Sequence, residues 1–141
     1  MLSYIWPLAL VVLSNVFYHI CTKSVPDKTD AFASLTVTYL IAAAVSAVLY
    51  FALGRGENIF REFTKMNWVP FLLGVVIVGL EAGVIFAYKN GWQISTLTVV
   101  ENVILTSALM AVGYFMYHER LTPSKIAGLA ICVVGLYFIN R

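Results

Sequence analysis

Residues Val69–Tyr88 read VPFLLGVVIVGLEAGVIFAY, a nearly unbroken apolar run. It is about the ~20 apolar residues that a helix needs to cross a bilayer. Pro70 falls in the first turn, where its missing amide proton costs no hydrogen bond. One residue breaks the pattern. Glu81 stands near the middle of the span, where insertion scales place the cost of an acid at roughly 2.5–3.5 kcal/mol. Embedded acids tend to face polar cavities and to handle ions, protons or substrate. A second acid, Glu101, interrupts the next apolar stretch.

The rest of the chain agrees with a membrane protein. Of its 141 residues, 61% are hydrophobic and only 11% are charged, against about 25% charged in soluble domains. No polar stretch is long enough to fold as a soluble domain. The net charge of +2 comes without a basic stripe interleaved with aromatics, so nucleic-acid binding is not expected. Cys21 and Cys132 lie in apolar segments without metal-ligand or CxxC spacing, and are expected to be buried free thiols. No metal and no cofactor is expected. The N-terminus has no basic region before its apolar run, so it reads as a first span rather than a cleaved leader.

Five spans follow, at about residues 4–22, 31–53, 68–88, 94–117 and 123–139, giving an all-α polytopic membrane fold in a single domain. The segment 24–30 (SVPDKTD) carries Pro26 and mixed charge and breaks the chain after the first span. KNGWQ at 89–93 makes a tight connection. Before the last span, Thr122 is placed as an N-cap with Pro123 at the first helical position. In the polar stretch after the second span, Ile59, Phe60, Phe63 and Met66 recur at helical spacing. That pattern suits a short helix lying in the interface, or an ordinary polar loop. Trp6, Trp68, Trp92, Tyr4 and Tyr137 stand at span ends, as an aromatic belt would.

Loop charge gives little orientation. The side bearing the N-terminus holds Arg55, Arg61, Lys65, Arg120 and Lys125, and the other holds Lys23, Lys28, Lys89 and Arg141. Two readings suit this balance. Either the basic stretch 55–65 tips its own side inward, or copies insert both ways.

The polar residues inside the spans are the candidate site. On the first helix Asn15, Tyr18, His19 and Thr22 follow i, i+3, i+4, i+7 and share one face. Glu81 has Tyr88 seven residues on, and Glu101 has Asn102 beside it. Running each helix in its direction places Asn15, His19, Glu81 and Glu101 in the same half of the membrane. A purely structural role is open to each. The first-helix stripe can serve as hydrogen-bonding glue between helices, Glu81 can pair with His19 or Lys89, and Glu101 with Lys89 or Trp92. In the functional reading, burial disfavours the charged form of a carboxyl group, so proton and cation compete for it. Tyr88 and Trp92 can also stack on a cationic ligand. His118, Glu119 and Arg120 fall in a turn and are assigned to structure.

The segment Gly113–Arg141, GYFMYHERLTPSKIAGLAICVVGLYFINR, resembles the end of an EamA repeat of the drug/metabolite transporter superfamily. That repeat closes its fourth helix with a GERL-like turn, here His118-Glu119-Arg120-Leu121. Ser14-Asn15-Val16-Phe17 resembles its SNF-like first-helix segment. Five helices with the longest loop after the second extend the likeness over the whole chain. The last two helices also resemble small multidrug resistance proteins, but those have four helices and an essential acid in the first span, which is lacking here.

The resemblance implies more than the residues do. Most such proteins carry two inverted five-helix repeats, so one repeat implies a partner, most simply a second copy in an antiparallel homodimer. Gly128, Cys132 and Gly135 make a small-residue stripe on the last span, assigned to the dimer contact, with packing inside one protomer as the alternative. Gly79 and Gly83 flank Glu81 as a second close-packing pair, and Ala42 and Ser46 as a weaker third. The expected function is secondary transport of a small metabolite or drug-like compound across a bacterial or archaeal cytoplasmic membrane. Proton exchange and alternating access between inverted protomers would drive it. Flipping of a lipid or lipid-linked sugar, or a scaffold role, is the alternative. An enzyme is not expected, since no nucleophile–base pair stands out.

Overall fold

The structure is a computed structural model that describes residues 2–53, 59–120 and 122–139. The described residues form helices and connections, with no strand among them. In chain order the helices are α1 (Leu2–Lys23), α2 (Ala31–Leu53), α3 (Ile59–Phe63), α4 (Val69–Lys89), α5 (Ile94–Tyr117) and α6 (Pro123–Ile139). Four of them, α1, α2, α4 and α5, are long and apolar enough to cross a membrane. At 1.5 Å per residue, helices of 21–24 residues run about 32–36 Å, enough for the ~30 Å hydrocarbon core. The fifth expected span, α6, is a shorter apolar helix of 17 residues.

The ends of the helices follow from local chemistry. Asp30 caps α2: its carboxylate accepts the Ala33 amide at 2.9 Å, and its carbonyl accepts that of Ser34 at 3.1 Å. Such a cap contributes about 1 kcal/mol. Asn67 accepts the Val69 amide at 3.1 Å, just before Pro70. Gly91, with φ of 92°, turns the chain after α4 in a conformation that side chains resist. The Thr122 carbonyl accepts the amides of Lys125 and Ile126 at the start of α6. Where a short helix or a polar loop is expected, the chain forms one short helix, α3, ending before Met66 of the apolar pattern. Phe60 and Phe63 are exposed on it, while Glu62 and Lys65 pair at 2.5 Å. Asn58 lies outside the described residues.

The chain divides into two compact units, Met1–Asn90 and Gly91–Arg141. In the first, α4 packs against both α1 and α2. Its core is a narrow seam in which Ala31 and Leu35 of α2 meet Ala82 and Ile85 of α4, with Tyr39 and Val78 packed against them. These positions repeat at i, i+4 on α2 and i, i+3 on α4, so each helix gives one stripe to the seam. A second stripe on α4, Val84 and Tyr88, is also buried. In the second unit α5 and α6 pack as a hairpin, and Gly113 is its buried residue.

Most of the other large apolar side chains are exposed, from Trp6 and Phe17 on α1 to Tyr137 and Phe138 on α6. So continuous an apolar surface is untenable in water and natural in lipid. Cys21 and Cys132 are free, as expected, but both are exposed on helix surfaces rather than buried. An apolar flank therefore does not imply a protein interior.

Candidate functional site

In the first unit the three long helices leave a half-open cavity of about 140 Å³. The α1 wall is Tyr18, Cys21 and Thr22, followed by Val25 just beyond the helix. The α2 wall is Ser34, Leu35 and Thr38, and the α4 wall is Glu81 and Ile85. Glu81 is half-buried and supplies the carboxylate of this lining. The buried Tyr39 hydroxyl meets no partner in hydrogen-bond geometry, but lies near enough to the Glu81 carboxylate to interact with it. Glu81 thus stands between the apolar seam and a cavity whose mainly apolar wall carries a few polar groups.

Two of the wall hydroxyls are already committed as donors. Thr22 donates to the Tyr18 carbonyl at 2.8 Å, and Thr38 to the Ser34 carbonyl at 3.1 Å. Each bond reaches back four residues along its own helix, a common way for threonine to sit inside a membrane helix. What each oxygen then offers the cavity is lone pairs.

A second cluster closes the α1–α4 contact. His19 is buried, and its Nδ1 shares a hydrogen bond of 2.7 Å with the Tyr88 hydroxyl. The rings of Tyr18 and His19 meet edge to face, as do those of His19 and Tyr88. Lys23 places its ammonium 5.2 Å from the centre of the Tyr88 ring and donates to the Tyr88 carbonyl at 3.4 Å. Tyr88 thus already carries a cation from its own chain. Lys89 donates to the carbonyls of Asp27 (3.1 Å) and Thr29, tying the end of α4 to the loop after α1. Neither His19 nor Lys89 takes Glu81 as its partner.

The first-helix stripe is therefore divided. Tyr18 and Thr22 face the cavity, His19 packs on Tyr88, and Asn15 is exposed outside both clusters. Gly79 and Gly83 flank Glu81, yet no other part of the described chain comes within 4 Å of a Cβ built on either. Ala42 and Ser46 are exposed.

In the second unit a wider groove of about 490 Å³ runs between α5 and α6. Asn102, Thr106 and Met110 line one side, and Lys125, Gly128 and Cys132 the other. Asn102 donates to the Thr98 carbonyl at 2.7 Å. Glu101 is half-buried and lies outside the groove lining, without a hydrogen bond or ion pair among the described residues. Gly128 and Gly135 also have open space where a Cβ would stand.

The turn after α5 has its own logic. His118 adopts the left-handed conformation, with φ of 51°. The Glu119 amide donates to the Gly113 carbonyl at 2.9 Å. The Glu119 carboxylate folds over Gly113, where an added Cβ would come within 3.1 Å of Oε2. Leu121, the last residue of the motif, lies outside the described residues. Across residues 2–141 the sequence matches the EamA-like transporter family.

The chain belongs to that family. This EamA-like protein is a multi-pass membrane transporter of the drug/metabolite superfamily, in a bilayer and with a small-molecule substrate. No curated protein and no solved structure matches it. Sequence reasoning missed Ser34, Thr38 and Tyr39 of the EamA-like chain's α2. The signal was present: Ser34 and Thr38 stand four residues apart, as do Leu35 and Tyr39.

Proposed function

We propose that this chain exchanges protons for a small cationic metabolite or drug-like compound, with Glu81 as the shared binding group. The observation that carries the reading is the half-buried Glu81 carboxylate, opening from a membrane span into a cavity walled by three helices. A carboxyl group in such a place is costly to keep charged unless a cation sits against it. Proton and substrate therefore compete for it, and each displaces the other. Thr22, Thr38 and Ser34 give the substrate polar contacts, and the Tyr39 hydroxyl lies near the carboxylate on its seam side. Glu101, apart from the groove lining of its own unit, is not assigned to coupling.

Two copies in opposite orientation would bring together ten helices and permit alternating access. Near-balanced loop charge supports both orientations, and glycine faces open to close approach on α4 and α6 support the contact. A bacterial or archaeal cytoplasmic membrane is the assigned setting.

The test is proton release from purified protein in weak buffer, on adding a panel of amines and amino acids. Wild type should release protons with a subset. Glu81→Gln should release none while remaining monodisperse, and Glu101→Gln should behave as wild type. Folded wild type that releases no proton with any compound would remove proton–cation exchange and favour lipid flipping or a scaffold role.

A further inference from the structure

The lining of the Glu81 cavity contains chemistry that discriminates among cations, and a native thiol that reports on it. Glu81 contributes acceptors when ionised. Thr22 and Thr38 have spent their hydroxyl protons on backbone carbonyls of their own helices, so their oxygens too meet the cavity as acceptors. Set in an otherwise mainly apolar wall, these few acceptors reward a ligand for each N–H it brings, beyond the reward for charge. Hydrogen bonds to charged groups are the stronger ones. A primary ammonium brings three donors, and a quaternary ammonium brings none. Volume sets the second limit. At about 140 Å³ the space is close to an engineered cavity of about 150 Å³ that holds one benzene. It therefore admits a head of about six heavy atoms, and the rest of a larger molecule must pass out through the open side.

From this we infer that the cavity is a primary-ammonium site that discriminates against quaternary ammonium of equal size and charge. The inference rests on reading this cavity as the substrate site. Butylammonium and tetramethylammonium are the matched pair: each has five heavy atoms and one positive charge, and they differ in N–H donors. Cys21 belongs to the α1 wall and Cys132 to the α5–α6 groove, so one thiol reports on the site and the other serves as an internal control.

The experiment follows N-ethylmaleimide labelling of both cysteines by mass spectrometry, in full-length protein in lipid nanodiscs. Butylammonium should halve the Cys21 rate at a concentration at least about tenfold below that of tetramethylammonium, the worth of one charge-assisted hydrogen bond. The Cys132 rate should not change. Glu81→Gln should abolish protection by both ions. Thr22→Val and Thr38→Val, judged folded by unchanged Cys132 labelling, should each shrink the preference several-fold. Equal protection, a reversed order, or protection by neither ion would overturn the inference, as would equal slowing of both thiols. Proton release separates this failure from that of the transport reading. Protons released by other compounds, with no primary-over-quaternary preference at Cys21, would sink the site chemistry and leave exchange standing. No release and no protection would sink both.

Discussion

The two units of this chain use similar apolar helices to opposite ends. In the first, three helices pack together, with a seam of buried side chains between α2 and α4, and leave a small cavity with Glu81 in its wall. In the second, two helices leave a groove more than three times larger, edged by Lys125 and two small residues, Gly128 and Cys132. Every buried side chain of the hydrophobic core, and buried His19, belongs to the first unit, whereas the second has a buried glycine. The third helix accounts for the contrast. It narrows an open groove between two helices into a smaller, half-open space in which a carboxylate is partly removed from lipid and water alike.

If that partial shielding is what makes an acid functional, the two embedded glutamates must differ most in activity. Glu81→Gln should lower substrate-driven proton flux in proteoliposomes by at least about 100-fold, an effect of roughly 2.7 kcal/mol or more. Glu101→Gln should stay within about threefold of wild type. Comparable losses in the two variants would break the comparison at its main point.

Packing gives the next largest contrast. Leu35→Ala and Ile85→Ala empty a seam where both residues are nearly inaccessible, 4% and 3% exposed. Each should destabilise by about 2 kcal/mol, the low end for buried aliphatic truncation, because lipid tails solvate the exposed surface almost as well as protein does. Leu129→Ala, in the open groove, should cost well under about 1 kcal/mol. Thermal unfolding of all three in one detergent measures the difference. A smaller effect is expected at the glycine faces. Gly128→Val should reduce disulfide-free crosslinking between copies by about fivefold and leave the monomer's stability within about 0.5 kcal/mol, since no neighbour in its own described chain stands within 4 Å of the new Cβ. A large loss of monomer stability would place that face inside one protomer instead.

These contrasts were unevenly legible in the sequence. Span positions followed from apolar runs and their Pro, Gly and charged boundaries, because the cost of exposing backbone to lipid leaves few alternatives. Glu81 stood out because an acid is rare in such a run. What could not be read was the face each helix buries. In α2 apolar residues surround the helix on every side, so periodicity points nowhere, and Leu35 is no more apolar than exposed Leu40. The polar stripe of α1 was visible as a stripe, yet its members diverge: Tyr18 and Thr22 face one cavity, His19 packs on Tyr88, and Asn15 is exposed. A spread of about 100° per residue separates these faces, and only a neighbouring helix decides between them. Asp30 as a cap was overlooked because the polar loop around it masks one aspartate among several turn formers.

The smallest effect is expected at the turn after α5, where family motif and local physics meet. The turn resembles GERL with histidine at its first position, and that histidine is held at φ of 51°. Left-handed backbone costs an L-residue about 1–2 kcal/mol, and histidine tolerates it better than most. Glycine takes the same conformation freely, which is why it commonly follows a helix end. It also loses more freedom on folding, which offsets part of the gain. His118→Gly should therefore raise stability by about 0.5 kcal/mol, a rise of about 1–2 °C in melting temperature. His118→Ala keeps the strained backbone and should give no gain. The carbonyl of Gly113, already bonded to the Glu119 amide, should show unchanged exchange protection at Glu119 in both variants. Destabilisation by glycine would mean that the imidazole makes a contact worth more than the strain it imposes, and the turn would then owe its shape to histidine rather than in spite of it.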